Sequence, residues 1–460
     1  MTEFGPIKKI HFVGVGGAGM CGLAEILNNL GFDVSGSDLR SSAVTERLRE
    51  LGVKVYEGHA AEHLGGAEVV VVSSAIPADN AEVLEARRRR VPVIPRAEML
   101  AELMRLKKGI AVCGTHGKTT TTSILATLLA EGGLEPTFVI GGRLNRVGTH
   151  AKLGEGQYFV AEADESDGSF LKLAPIYALC TNVDEDHLDY YGDFERLKGA
   201  FVEFLNKVPF YGLSLACADD AGVAAILERI SKPTLTYGTA AGRDVVISNV
   251  VGEGLKTSFD LTVKGERLGR LTVNLPGEHS ALNAGAAAAL ATVVGVDFAT
   301  VQKTLDEFEG VEMRFQRLGE VQGSVTVMHD YAHHPREIET MLAALRQAYP
   351  GRRLVAVFQP HRYSRTRDQL NKFPRALSAA DVVIVTGIYP AGEAAIAGVS
   401  EEGIVAGLVH LGYRDVHHVP HKADIPSKVA AVMRPGDVIV HVGAGDVWKV
   451  AEDVLRFLTN

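Results

Sequence analysis

Of the 460 residues only four are cysteine, Cys21, Cys113, Cys180 and Cys217, and no two have the spacing of a paired metal ligand. A disulfide framework and a thiolate zinc site are therefore not expected, and three of the four sit in or beside apolar strand-like runs, as reduced buried thiols do. Long hydrophobic runs are also missing. The longest nearly apolar stretch, 284–296, holds two glycines and is too short to cross a bilayer, so a buried helix is expected there. The chain reaches an apolar strand by Ile10 without the basic flank, apolar core and small-residue cleavage site of a secretory signal, which predicts a cytoplasmic protein with no membrane partner. Positive charge is not in excess. With 47 Lys and Arg against 56 Asp and Glu the net charge is −9, which gives no general attraction to nucleic acid, and the one basic run, Arg87 to Arg90, reads as the solvated face of a helix. Aromatic residues are only 7%, whereas 46% hydrophobic residues and 49 glycines suit an α/β chain with many strand-to-helix turns. The length accommodates two to four domains.

The chain is organised around 114–122, Gly-Thr-His-Gly-Lys-Thr-Thr-Thr-Thr, between an apolar run, Ile110 to Cys113, and an amphipathic run, Ser123 to Leu129. The pattern is strand, phosphate loop, helix. Glycines delivered to a helix N-terminus aim backbone N–H groups and the positive end of the helix dipole at one point, which suits a polyphosphate. Lys118 adds a mobile positive charge, and the Thr119 hydroxyl follows the Lys-Ser/Thr logic of phosphate loops, next to a nucleotide-bound magnesium. The loop is shorter than the common signature, since Val112 stands five residues before Gly117 where that signature has glycine. Four threonines entering a helix are poor helix formers without a reason. ATP with Mg2+ is the expected ligand, on Gly114, Thr115, His116, Gly117, Lys118, Thr119 and Thr120.

Upstream, a strand at Ile10 to Val13 leads into Gly14, Gly16, Gly17 and Gly19 in the order G-x-G-x-x-G, and Asp38 follows a second strand-like run. This is the fingerprint of a dinucleotide site with its acidic ribose partner, so a dehydrogenase has to be considered. Physically the glycines require only a pyrophosphate and close backbone approach, which a UDP-sugar meets as well as NAD does. His59 and Ser74, near strand ends, can hydrogen-bond a diphosphate or a sugar, with helix capping the alternative for the serine.

Beyond the phosphate loop, the strand Tyr158 to Ala161 runs into 162–167, which carries four carboxylates in six residues, and the strand Tyr177 to Thr181 runs into Asn182 to Asp189 with His187. Carboxylates so crowded repel one another unless cations sit among them. From Asp244 to Pro276 an alternating pattern with turns at 252–254 and 264–266 predicts a small antiparallel ribbon. A helix with Ser280 as its cap follows, placing Asn283 one turn in. A third domain is expected from about 310. Its strand ends carry Asp330 to Pro335, Gln359 to Arg365, and Gly443 to Asp446. Adjacent histidines in a loop lack the i, i+4 spacing of a helical zinc pair. Two arginines three apart beside two histidines fit an anion clamp, the alternative being core or capping histidines.

Assembled in this order, these runs, with Phe170 and Arg314-Phe315-Gln316, make the chain resemble the Mur ligases of bacterial peptidoglycan synthesis over nearly its whole length. The resemblance implies three domains: a Rossmann-like UDP-substrate domain over 1–107, a phosphate-loop ATPase domain with the ribbon over 108–310, and a Rossmann-like domain over 311–460. It implies that Lys118 holds the ATP phosphates and that Thr119, Glu162 and His187 ligate magnesium, directly or through water. Gly14, Gly16, Gly17, Gly19, Asp38, His59 and Ser74 then serve the UDP end. Asn283 lies at the adenine, Arg314 approaches the nucleotide across a domain interface, and Asp330 meets the ribose or the closing hinge. Tyr331, His333, His361, Arg362 and Arg365 receive the amino acid, with His333 the candidate to accept its ammonium proton. The third domain is expected to close over the central one, because an acyl phosphate must be kept from water.

Three positions depart from the family pattern: Ser280 in place of an asparagine, Met313 in place of a second arginine, and His329 in place of an acidic residue. The acidic run 162–167 and the run 358–363 point to the branch that takes UDP-N-acetylmuramate, L-alanine and ATP, with the murein tripeptide recycling branch as the alternative. A monomer or weak homodimer is expected. A dehydrogenase would leave the phosphate loop and acidic run without a purpose, and a non-catalytic nucleotide-binding regulator is suggested only by the three departures.

Overall fold

The computed structural model describes residues 4–73, 75–142, 149–321 and 324–459. It is an α/β protein with three largely parallel sheets, and its contacts divide the chain into two compact units: 1–247 with 261–269 and 283–304, and 248–260 with 270–282 and 305–460.

The first unit holds one whole sheet and, of a second, the strands around Lys108–Cys113. In one, the strands run in the order Lys54–Glu57, Asp33–Asp38, Lys9–Val13, Val69–Val72, Val93–Pro95, and every pairing is parallel. The order reverses direction between Lys9–Val13 and Val69–Val72, so the glycine loop that follows Val13 lies at the switch point, where open parallel sheets bind ligands. The other sheet repeats the device. Lys108–Cys113 is flanked in parallel by Tyr177–Cys180 on one side and Tyr158–Glu162 on the other. The phosphate loop, the acidic run and the Asp-His run therefore leave the C-terminal ends of three adjacent strands. Ile110, Ala111, Val112 and Cys113 are fully buried, as a strand covered on both faces must be, which is why it reads as an unbroken apolar run.

All four cysteines are buried and unpaired as disulfides. Cys113 and Cys180 face each other in register on neighbouring strands, one residue before Gly114 and Thr181 respectively. The helix Lys118–Glu131 tolerates its threonines because Thr121 and Thr122 donate to the carbonyls of Gly117 and Lys118 at 2.9 and 2.8 Å. The hydroxyl hydrogen bonds that make threonine a poor helix former are here satisfied within the helix.

The strands Val245–Glu253, Lys256–Val263 and Glu266–Val273 follow one another with turns at Gly254 and Gly265, both at positive φ. The next helix, Glu278–Val293, begins before Ser280. That serine is not the expected cap: it lies within the first turn, and its hydroxyl donates to the Pro276 carbonyl at 2.8 Å.

In the second unit the sheet order is Gln316–Val321, Val325–Asp330, Val438–Val442, Leu354–Phe358, Val382–Val385, Val416–His418. Only the first strand is antiparallel. One face buries Met328, Ala356, Phe358 and Val440 with Ile338 and Leu342 of the helix Pro335–Ala348. The other buries Val327, Val357 and Ile439 with Val450 and Val454 of the helix Val447–Thr459. Neither edge strand was legible in the sequence, because Gln316–Val321 and Val416–His418 lack the unbroken apolar pattern of buried strands.

His329, one of the three departures, is buried within the sheet. It is 1% exposed, pairs in register with His441 on the neighbouring strand, and shares a hydrogen bond with the His441 carbonyl at 3.0 Å. Burial lowers the His329 pKa to about 4 and, with His329 as neighbour, the His441 pKa to about 3. In the unfolded chain both protonate near 6.5. The folded pKa values are depressed, so this contribution to stability is complete above about pH 7 and is lost as pH falls through 6.5 toward 4, by roughly 2 kcal/mol per imidazole at pH 5. Denaturant unfolding of wild type and the His329→Gln/His441→Gln variant from pH 7.5 to 5 is expected to show a flatter pH dependence in the variant. Equal slopes would remove this pair from the acid sensitivity.

Candidate active site

Gly114 has φ +131°, and a Cβ there would lie 2.0 Å from Thr181 Oγ1. The loop thus needs glycine both for its backbone conformation and for its contact with the neighbouring strand end. The Thr181 hydroxyl and the Asn182 amide donate to the His116 carbonyl at 2.6 and 2.9 Å, and Asn182 Oδ1 accepts from the His116 N–H at 2.7 Å. The His116 ring meets Asp184 Oδ2 at 3.0 Å. Asn182 and Asp184, which carried no individual role in the sequence reading, are tied to the loop at His116 and Thr115. Gly117, at φ +80°, has no room for a side chain because a Cβ would stand 2.9 Å from Asn283 Nδ2. Asn283 therefore lies against the phosphate loop.

Lys118 Nζ contacts both Glu165 oxygens, at 2.8 and 3.1 Å, and donates to the carbonyls of Gly114 and Thr115. Burial works against its charge but is outweighed by Glu165, Asp164 and Glu162, which hold its pKa above the ordinary lysine value. Glu165 is itself fully buried, and desolvation raises its pKa despite the lysine. Its backbone carbonyl accepts the Tyr191 hydroxyl at 2.5 Å. The Thr119 hydroxyl donates to Glu162 Oε2 at 3.2 Å, and Glu162 Oε1 accepts the Gly141 N–H at 2.8 Å. Burial raises the Glu162 pKa too, only partly offset by Gly141 and Lys118. A half-buried carboxylate whose pKa is raised by desolvation, beside a hydroxyl, is a donor set of hard oxygens that fits magnesium. His187 sits in the left-handed region at φ 55° and is close enough to Asp164 and Glu165 to favour their charged forms, though less than Lys118 does.

At the other switch point, Gly14 and Val15 donate to the Ser37 carbonyl at 2.8 and 3.0 Å, and Asp38 Oδ2 accepts the Gly16 N–H at 2.8 Å. Asp38 thus braces the glycine loop directly. Gly17 caps the helix Ala18–Asn29, and Gly19 faces the Arg96 side chain, where a Cβ would come within 3.0 Å. His59 Nδ1 lies 3.1 Å from Glu82 Oε2. Ser74 lies outside the described residues.

In the second unit the expected amino-acid residues come together as a chain of rings. The Arg314 guanidinium lies 4.9 Å from the Tyr331 ring centroid. Tyr331 to His333 is 5.4 Å, His333 to His361 5.8 Å, and His361 stacks on Tyr389 at 5.7 Å. His333 Nδ1 is 3.1 Å from the Tyr331 carbonyl, which makes Nδ1 the donor and leaves Nε2 as the basic atom. Arg365 Nη1 lies 3.2 Å from His361 Nδ1, and because arginine only donates, the other ring nitrogen of His361 carries the proton. Arg362 is held at φ +70° and its Nε is 4.0 Å from Glu393, which also accepts from the Ser364 N–H and hydroxyl at 3.0 and 2.6 Å. His334 is a helix cap, accepting from the Arg336 N–H. Asp330 takes the Phe315 and Ala332 N–H groups, one per oxygen, both at 2.8 Å. Tyr389 and Glu393 were missed. Their one signal was position, just past the strand Val382–Val385.

Three family models match in succession: the Mur ligase family catalytic domain over 9–108, the Mur ligase middle domain over 112–291, and the Mur ligase glutamate ligase domain over 313–445. The chain belongs to the Mur ligase family. Among curated Mur ligases it is 52% identical to the UDP-N-acetylmuramate–L-alanine ligase of Geobacter sp. (strain M21) over 452 residues, 98% of each chain. It is also 52% identical to the enzyme of that name from Methylobacillus flagellatus, over 97% of this chain and 95% of the relative. Among solved Mur ligase structures, the UDP-N-acetylmuramate–alanine ligase of Thermotoga maritima superposes with a TM-score of 0.81 at 30% identity, covering 97% of this chain and 98% of that one. A murein peptide ligase from Psychrobacter arcticus gives 0.72 at 25% identity, covering 98% and 99%.

Proposed function

We propose that this Mur ligase joins L-alanine to the lactyl carboxylate of UDP-N-acetylmuramate with ATP, releasing ADP and phosphate, and that it works in the cytoplasm as a monomer or weak homodimer. The observation that carries the reading is the convergence of phosphate loop, Lys118 and the carboxylate run with its buried Glu165 at one sheet switch point in a chain half-identical to ligases of that name. A carboxylate is too stabilised to accept an amine. Its oxygen attacks the γ-phosphorus and ADP leaves; the amine, once deprotonated, then attacks the carbonyl carbon of the acyl phosphate, the C–O bond to phosphate breaks, and phosphate leaves as the amide forms. Two anions meet in the first step, and Lys118 supplies charge that is already in place. Thr119, Glu162 and His187 would hold magnesium, which supplies further neutralisation of phosphate charge when bound. Asn283, beside Gly117, is assigned to the adenine end. The hydrogen bond that Asp330 accepts from the Phe315 N–H, next to Arg314, supports the reading of Asp330 at the hinge or the ribose.

In the second step, Arg362 and Arg365 hold the alanine carboxylate, and His333 Nε2 takes the ammonium proton. Arg362→Ala is expected to raise KM for L-alanine roughly 10- to 100-fold, the worth of a charge-assisted hydrogen bond, with KM for ATP unchanged. An unaltered alanine requirement would remove Arg362 from that role. The function itself is tested by phosphate release with ATP and UDP-N-acetylmuramate, offering L-alanine, glycine, L-serine and murein tripeptide in parallel. Release with L-alanine is expected. Release with tripeptide alone would move the chain to the recycling reaction.

A further inference from the structure

Behind the glycine loop lies a carboxylate that the reaction as described does not use. Glu82, on the helix Ala81–Arg88, is 0% exposed and is surrounded by the polar side chains of His11, Ser37, His59 and His63. Its Oε2 accepts the Ser37 hydroxyl at 2.6 Å and lies 3.1 Å from His59 Nδ1. Its Oε1 lies 3.2 Å from His63 Nδ1 and 3.6 Å from His11 Nε2. His11 is tied by Nδ1 to Ser35 Oγ at 2.8 Å, and His63 is stacked on Tyr56 at 4.3 Å. A buried charge of this kind is tolerated only when fully hydrogen-bonded. Burial would raise the Glu82 pKa, but His11, Ser37 and His59 outweigh it and hold the carboxyl below its ordinary value.

Two paths lead from Glu82 to the expected nucleotide end. Through Ser37, whose hydroxyl it fixes, it steadies the carbonyl that holds Gly14 and Val15. Through His59 it sets a tautomer. An ionised carboxylate only accepts, and Ser37 Oγ, 3.0 Å from the same Nδ1, already gives its proton to Glu82, so Nδ1 carries the proton and Nε2 of His59 is left as the atom that can meet a ligand. His59 keeps 13% of its side chain exposed, whereas Glu82 is sealed.

We propose that Glu82 is a positioning residue for the nucleoside diphosphate of the substrate: it holds Ser37 beneath the glycine loop and fixes His59 as its Nδ1–H form, with Nε2 presented to the ligand. This rests on the reading of the first sheet as the UDP-sugar end. Glu82→Gln keeps the shape but adds an amide donor. The variant cannot accept from all its neighbours at once, so the His59 ring has reason to turn its proton to Nε2.

The test combines kinetics with 15N–1H NMR of the histidine rings in wild type, Glu82→Gln, His59→Ala and the double variant, with UDP alone as a binding probe. Glu82→Gln is expected to raise KM for UDP-N-acetylmuramate and Kd for UDP about tenfold, leave KM for ATP and for L-alanine within twofold, and move the His59 proton from Nδ1 to Nε2. The double variant should lose no more than the worse single one, since one works through the other. An unchanged tautomer with unchanged UDP affinity, or fully additive losses, would overturn the proposal. Glu82→Asp, which keeps an acceptor-only group, should recover part of the affinity; failure to do so while the tautomer is retained would also count against it. If wild type binds UDP but does not turn over UDP-N-acetylmuramate, the proposed reaction fails while the UDP and NMR readouts still decide the role of Glu82. If wild type does not bind UDP, both fall.

Discussion

Lys118→Ala is expected to cut ATP-dependent phosphate release about 1,000-fold, the order seen when one preorganised charge or donor is removed from a transition state. The loss has two physical parts. The first is chemical: the ammonium sits where the phosphate loop converges, and no other described cation contacts Glu165. The second is structural. Glu165 is fully buried and leans on Lys118 at 2.8 Å, so removing the lysine strands a charge at a cost of about 3 to 5 kcal/mol. Adding Glu165→Gln separates the two. The double variant should regain most of the melting temperature and none of the turnover, whereas recovered turnover would show that the lysine serves only to neutralise Glu165.

Gly114→Ala should be nearly as damaging by a different route. A methyl group at φ +131° is strained, and it would lie 2.0 Å from Thr181 Oγ1 and 3.0 Å from the Asn182 N–H. Those residues would be pushed from the His116 carbonyl they hold, and the loop would lose its shape. ATP affinity is expected to fall more than 100-fold, with a melting temperature several degrees lower. Gly133→Ala is the control, because its φ of +72° is also left-handed but nothing stands within 4 Å of the new carbon. It should cost only the backbone strain of about 1 to 2 kcal/mol and leave ATP affinity alone. Equal effects at both positions would mean that the contact with Thr181 is unimportant.

The glycine loops and the acidic run were legible in the sequence because their chemistry is local: phosphate binding needs consecutive N–H groups and a strand end, and both are written within ten residues. Buried strands such as Ile110 to Cys113 were legible for the same reason. Glu82 was not, because a glutamate in the first turn of a helix looks like any dipole-compensating surface residue until His11, Ser37, His59 and His63 arrive from other elements. Tyr389 and Glu393 were missed likewise, since it is the sheet order, with Leu354–Phe358 beside Val382–Val385, that carries them to Arg362. Ser280 was misjudged as a cap, and His329 was noticed only as a departure. One sits inside a helix turn and the other in an apolar core, and neither location is encoded in the neighbouring residues.

The placement of the thiols gives the protein its own stopwatch. Every cysteine is buried, and none lies beyond Cys217, so a thiol reagent can label the folded chain only when the amino-terminal half opens. Cys21 keeps time for the first sheet, and Cys113 with Cys180 for the strands directly beneath the phosphate loop. Labelling of that pair should slow as nucleotide saturates the loop, at a rate set by local opening, while residues 311–460 stay silent throughout.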